Sequence, residues 1–225
     1  VSAFYVNQLI SPLDKLDINL GARLEDSTQT LQVGLEEETY TLENSDTLPF
    51  LGATYRFNDE HQLRFWYADT ISRPDFREFS PNRFKDPLTG YIVFGYEQLK
   101  QTEIQNIDLK YEWYPSYNEF ISLGVFRKNF TDPIETVRAF ADIDIETSFG
   151  NAQSAESTGF ELGFRKNLGG PKSRFNNFFI EGNYAVIDST ITLDKDAPEN
   201  QNDQFIPFLT SEDRPMQGQS PYVIN

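Results

Sequence analysis

The feature that most constrains this chain is an apolar/polar alternation with a period of two residues that recurs along its length. Leu16, Ile18, Leu20, Ala22 and Leu24 alternate with Asp17, Asn19, Gly21, Arg23 and Glu25, and no turn former breaks the run. The pattern returns at Leu63, Phe65 and Tyr67, at Ile107, Leu109, Tyr111 and Trp113, and at Phe160, Leu162 and Phe164. It returns less cleanly at Phe178, Ile180, Tyr184 and Val186. Successive side chains of a strand point to opposite faces, so each segment predicts a strand with one apolar and one polar face.

The connections between these segments come in two lengths. Short ones at Ser11–Asp14, Asn58–Glu60, Pro115–Asn118 and Gly169–Lys172 carry the Pro, Gly, Asn and Asp residues that tight turns use. Between them lie long polar stretches at 27–46, 72–102, 129–155 and 188–216, and short and long alternate strictly. Short turns at one end of a meander and long loops at the other predict a transmembrane β-barrel, in which strands of ~9–11 residues cross the bilayer. The expectation is therefore an all-β, antiparallel meander of about eight strands, with a ninth beginning near Pro221.

Composition narrows the classes. No stretch approaches the length of apolar residues that a transmembrane helix needs, and no positively charged, apolar-cored leader opens the chain at Val1, so any targeting segment is expected outside it. The 20 Phe, 11 Tyr and 2 Trp favour strands and the aromatic girdles of membrane barrels. With no cysteine there is no disulfide scaffold and no thiolate chemistry. A formal net charge of -16 argues against nucleic acid as a partner.

From residue 48 onward the sequence also resembles a family. Leu48 to Asp59 (LPFLGATYRFND) is similar to a barrel strand and turn of the TonB-dependent outer-membrane receptors. Leu63 to Thr70 and Ile71 to Pro81 (ISRPDFREFSP) resemble the strand and loop that follow it, with Asp69 where the family usually has Ser. Tyr91 to Gln101 is a partial match that lacks the family's Asn and prolines. Ile107 to Pro115, Phe126 to Ile134, Glu156 to Leu162 and Arg214 to Tyr222 follow in the family's order. The resemblance implies a barrel that is 22-stranded in the family and plugged by an N-terminal globular domain carrying a TonB-contacting box. On that expectation residues 1–225 are a partial barrel domain from the C-terminal half, without plug, box or terminal strand.

His61 is the sole histidine and sits beside a turn, far from any triad-like Ser or Asp. Gly169-Gly170 reads as a turn, not a phosphate loop. Asp142, Asp144 and Glu146 alternate without the glycine and spacing of an EF-hand, so a solvated loop strand is expected. Asp188, Asp194, Asp196, Glu199, Asp203, Glu212 and Asp213 read as a solvated acidic loop. Tyr111 and Trp113 are expected in an interfacial girdle. Arg23, Glu25, Arg64, Asp108, Lys110, Glu112, Glu161 and Arg165 are expected to face the lumen.

Arg73, Arg77 and Arg83, with Lys85, form a basic stretch in an acidic chain, and guanidinium forks suit carboxylate or phosphate. They are the candidate cargo-binding residues; the competing reading is that they brace the loop by pairing with carboxylates. The expected function is an outer-membrane receptor and transporter, not an enzyme. The resemblance implies uptake of a scarce nutrient (siderophore, haem, cobalamin or oligosaccharide) driven by the TonB complex through the plug, with outer-membrane lipid as a partner and no cofactor. The alternatives are a self-contained barrel or porin and a soluble β-sandwich binding module.

Overall fold

The computed structural model describes residues 1–33, 38–141, 144–169, 174–175, 178–193 and 213–225. In chain order the strands are β1 (Ser2–Leu13), β2 (Leu16–Val33), β3 (Glu38–Arg56) and β4 (His61–Ser72), then β5 (Phe84–Lys85) and β6 (Ile92–Val93). They continue as β7 (Thr102–Ser116), β8 (Glu119–Thr131), β9 (Ile134–Ala141), β10 (Asp144–Asn151), β11 (Ser154–Asn167), β12 (Phe179–Thr192), β13 (Asp213–Arg214) and β14 (Tyr222–Ile224). A short helix, α1 (Phe76–Phe79), interrupts the loop after β4.

The long strands form one antiparallel sheet in the order β1-β2-β3-β4-β7-β8-β11-β12-β13, with β14 also pairing β12. This wall is the expected meander, including the ninth strand at Tyr222. The described tight turns fall at Asp14–Lys15, Phe57–Glu60 and Tyr117–Asn118, within or beside the predicted stretches. Asn58 accepts hydrogen bonds from the amides of Glu60 and His61, both at 2.9 Å, in an Asx-type turn. β5, β6, β10 and β9 make a separate small sheet, in the order β5-β6-β10-β9, at the long-loop end.

Register separates the two faces of the wall. Ile18, Ala53, Phe65, Leu109, Val125, Phe160 and Val186 lie in one continuous cross-strand row. These apolar side chains have no second layer over them, and Leu109 and Val125 stay 41% and 51% exposed. The polar candidates fall on the opposite face: Arg64 pairs with Lys110, Lys110 with Gly124, and Gly124 with Glu161. A single sheet with one uncovered apolar face is not a β-sandwich, whose sheets bury that face against each other.

The next outward row runs Leu20, Leu51, Tyr67, Ile107, Arg127, Thr158 and Asp188, so it turns from apolar to polar along its length. On β2 the apolar run continues to Leu24, whereas on β8 it stops at Val125, which is in register with Ile18. The boundary thus slants across the hydrogen-bond rows by about six residues, ~20 Å, over four strand spacings of ~4.8 Å each. That slope of roughly 45° is the strand tilt of a membrane barrel. At the short-turn end His61 stacks on Trp113, 5.7 Å between ring centroids, and its Nδ1 lies 2.5 Å from the Tyr111 hydroxyl, so the two aromatics and the histidine form one cluster on the apolar face.

Inside the wall, aromatic rings lie across glycines of the neighbouring strand. A Cβ on Gly52 would come within 2.2 Å of the Trp66 ring, and Phe126 covers Gly159 in the same way. Only a residue without a side chain lets the ring lie flat there.

The stretch 27–46 differs from the expected loop, because β2 runs to Val33 and β3 begins at Glu38. Above the lipid both faces meet water, so the ladder persists while the alternation that reveals it disappears. Likewise 129–155 holds the β9–β10 hairpin, and 72–102 holds α1, β5 and β6. Asp142 of the carboxylate run, the Gly170–Lys172 part of one turn, and Asp194, Asp196, Glu199, Asp203 and Glu212 of the acidic loop lie outside the described residues.

Candidate functional site

The candidate arginines sit on a folded rim, and local sequence chemistry builds it. Asp75 caps α1, accepting from the amides of Arg77 (2.6 Å) and Glu78 (3.1 Å), while the Glu78 carboxylate accepts from the Asp75 amide at 2.9 Å. That reciprocal capping box satisfies the free donors of a single helical turn. Phe79 and Leu99, each 1% exposed, anchor the two arms of the loop.

The arms are stitched where the Gly95 amide donates to the Ser80 carbonyl and the Tyr96 amide to the Glu78 carbonyl, both at 2.7 Å. A Cβ at Gly95 would meet the carbonyls of Glu78, Arg77 and Ser80 at 2.4–2.5 Å, so the crossing requires glycine.

Asp86 shapes the tip of the loop. Its carboxylate accepts from the Leu88 amide at 2.9 Å and the Thr89 hydroxyl at 2.8 Å. The Leu88 amide foremost, and then the Thr89 hydroxyl, hold that carboxyl below its ordinary value of 3.8. Asn151 closes the base: its side chain accepts from the Lys100 amide at 2.8 Å and donates to the Lys100 and Asp132 carbonyls at 3.0 and 2.7 Å.

The three arginines fare differently on this scaffold. Arg73 is tied down. It pairs with buried Glu25, donates to Ser27 Oγ at 3.0 Å and lies 3.6 Å from Asp46. Gln29 adds a hydrogen bond to the Pro74 carbonyl at 3.0 Å, so the foot of the loop is locked to β2 and β3. Arg83 pairs with Glu146 of β10 at 2.5 Å and stacks over Phe94 at 5.0 Å. Arg77 is exposed, lies over the Phe84 ring at 5.6 Å, and has no carboxylate partner among the described residues. Lys85 is exposed as well.

The loop therefore brings Arg77 and Arg83 to one small sheet and leaves Arg73 at its foot. A fourth arginine joins them. Arg138 of β9 is exposed and stands 5.9 Å over the ring of Tyr91. It lies within 129–155, which reads as loop; the β-branched Ile134, Thr136 and Val137 are the sequence signal for the strand that carries it. Among the described residues no cluster of three or more His, Cys, Asp or Glu is arranged to hold a metal ion.

Comparison with known proteins agrees with this architecture. The family model for TonB-dependent receptor-like β-barrels matches residues 1–220. Among solved structures, the siderophore receptor PirA from Pseudomonas aeruginosa superposes with a TM-score of 0.62 at 16% identity, over 85% of this chain and 36% of that one. The copper transporter OprC gives 0.61 at 15% identity, over 85% and 30%. A substituted form of the ferric enterobactin receptor PfeA from Pseudomonas aeruginosa gives 0.55 at 13% identity, over 85% and 30%. At such identities the likeness is one of fold, and the chain spans only 30–36% of the length of these three structures. A search of curated proteins returned no match.

Proposed function

The chain belongs to the TonB-dependent receptor-like β-barrel family, and from that premise we propose that it is part of an outer-membrane receptor that takes up a scarce nutrient, driven by TonB. One observation carries the reading: an uncovered apolar outer face that ends on a slanting boundary, with charged side chains on the opposite face. Lipid against that face satisfies it, since an apolar surface this extensive is not left in water. The opposite face then lines a wet lumen in which Arg64, Lys110, Glu112 and Glu161 support the passage and do no catalysis.

The rim sheet and its loop stand at the cell-surface end, where cargo arrives. Of the arginines in the loop, Arg77 is the one we assign to cargo contact. Arg73 and Arg83 brace the loop, because each already holds a carboxylate.

Uptake in the producing bacterium tests the reading. Deleting the gene should abolish growth on the nutrient whose limitation induces it, and loss of TonB should have the same effect. Uptake that persists at full rate without TonB would overturn the energised-receptor reading in favour of passive diffusion.

A further inference from the structure

At the short-turn end the apolar face of the wall ends on a row of Phe57, His61, Trp113 and Ile121. The Phe57 amide donates to the His61 carbonyl at 2.9 Å, His61 stands opposite Trp113, and Trp113 stands opposite Ile121. Polar groups are held against these rings. The Trp113 indole N–H donates to the Glu60 carboxylate at 3.5 Å, and Lys15 reaches over from the β1–β2 turn to donate to the Phe57 carbonyl at 2.9 Å. His61 stacks on Trp113 and engages the Tyr111 hydroxyl through Nδ1.

This cluster keeps bonding capacity that the wall does not use. Glu60 and Lys15 are exposed, and neither forms an ion pair among the described residues. The contacts of His61 occupy its ring face and Nδ1 and leave Nε2 unused. By contrast Lys166 and Glu119, charges at the same end of the wall, close on each other at 2.9 Å. The two turns that frame the cluster also carry Asp14 beside Lys15 and Asp59 beside Glu60, so three carboxylates stand against one lysine. Such surroundings repel a ligand that is only anionic and favour one that brings its own cation.

We propose that Lys15, Glu60, His61 and Trp113 bind the headgroup of a zwitterionic phospholipid with a primary ammonium, a phosphatidylethanolamine, whose acyl chains lie on the apolar face. The ammonium N–H groups donate to the Glu60 carboxylate that Trp113 holds in place, a charge-assisted hydrogen bond. The phosphate accepts from the Lys15 ammonium and from His61, because the tautomer whose Nδ1 accepts from the Tyr111 hydroxyl carries its N–H at Nε2. The row from Phe57 to Trp113 crosses two strand spacings, ~10 Å, which keeps both charges within reach of one headgroup. The inference rests on the receptor reading for lipid against the apolar face, and it names the lipid at one edge of that face.

The test uses the receptor as its gene encodes it, purified in detergent micelles. Native mass spectrometry counts the lipids retained as dioleoyl phosphatidylethanolamine, phosphatidylglycerol or phosphatidylcholine is added. Wild type should retain the ethanolamine lipid several-fold more tightly than the other two. Glu60→Gln should lose about tenfold toward the ethanolamine lipid and with it the preference. Lys15→Gln/His61→Phe, which keeps a ring on Trp113, should weaken all three lipids, since each brings a phosphate. Glu119→Gln/Lys166→Gln, at the self-paired charges, should match wild type. Equal thermal unfolding of the variants shows that the barrel is intact. Equal retention of the three lipids by wild type, a preference that survives Glu60→Gln, or full retention in Lys15→Gln/His61→Phe overturns the proposal. Since the assay needs no energised uptake, either result leaves the receptor reading to stand or fall on TonB-dependent uptake.

Discussion

Leu109→Arg places a charge on the outward face at a depth the register allows to be worked out. Leu109 sits between Phe65 and Val125 in a fully apolar row, and the first polar outward residue on its own strand is Gln105. Four residues at ~3.3 Å, tilted by ~40°, put that polar level about 10 Å above Leu109, beyond the ~6–7 Å that an arginine can snorkel. The cost should fall in the ~2–3 kcal/mol part of the range for a lipid-facing charge, a 30- to 150-fold loss in the folding equilibrium in a bilayer. Lys110→Glu makes a larger formal charge change one residue away, but on the wet face, in register with Arg64. There a new attraction to Arg64 in water-like surroundings is worth only about 1 kcal/mol. Both variants of the receptor would be refolded into liposomes and titrated with denaturant, with surface abundance measured in cells. Equal stability of the two, or a greater loss for Lys110→Glu, would refute the assignment of faces.

Gly95→Ala should push apart the two arms of the rim loop, with a local cost of about 1–3 kcal/mol from overpacking. Limited proteolysis should then cut within residues 76–100 while barrel abundance stays unchanged. Arg73→Gln strands buried Glu25 with only exposed Arg23 as a cationic partner; a local loss of about 2–3 kcal/mol is expected, read as faster hydrogen exchange at residues 74–79. The Asp86 turn should respond to acid. Because its folded pKa is depressed, the stabilisation is complete above the ordinary value of 3.8 and is lost as pH falls through the lower folded value, which the Leu88 and Thr89 amide shifts would follow.

The wall was legible in the sequence because lipid on one side and water on the other impose a strict alternation. Leu16 to Leu24 and Ile107 to Trp113 carry the fold in their spacing alone. Where water wets both sides, the constraint ends. Thr28, Gln29 and Thr30 belong to β2 as firmly as Leu20 does, yet no apolar/polar alternation announces a strand there. The same limit explains the site. The basic stretch from Arg73 to Lys85 was visible as a cluster, but the partners that divide bracing from binding, Glu25 for Arg73 and Glu146 for Arg83, lie far off in the chain. Arg138 joins Arg77 only through the pairing of β9, β10, β6 and β5, which no local pattern encodes.

The continuation of β2 and β3 past Leu24 divides the wall into zones with different tolerance to insertion. Below Leu24, adding one residue to a strand would swing every outward side chain beyond it into the lumen, so length there is frozen by the bilayer. Above the paired Gln29 and Leu42, past the residues that hold the rim loop, one residue added to each arm keeps the ladder and lengthens the ribbon by ~3.3 Å, while the faces it inverts both stand in water. Receptors built on this plan can therefore change the height of their outermost ribbon in steps of a single residue pair, without any compensating change in the part that lipid holds.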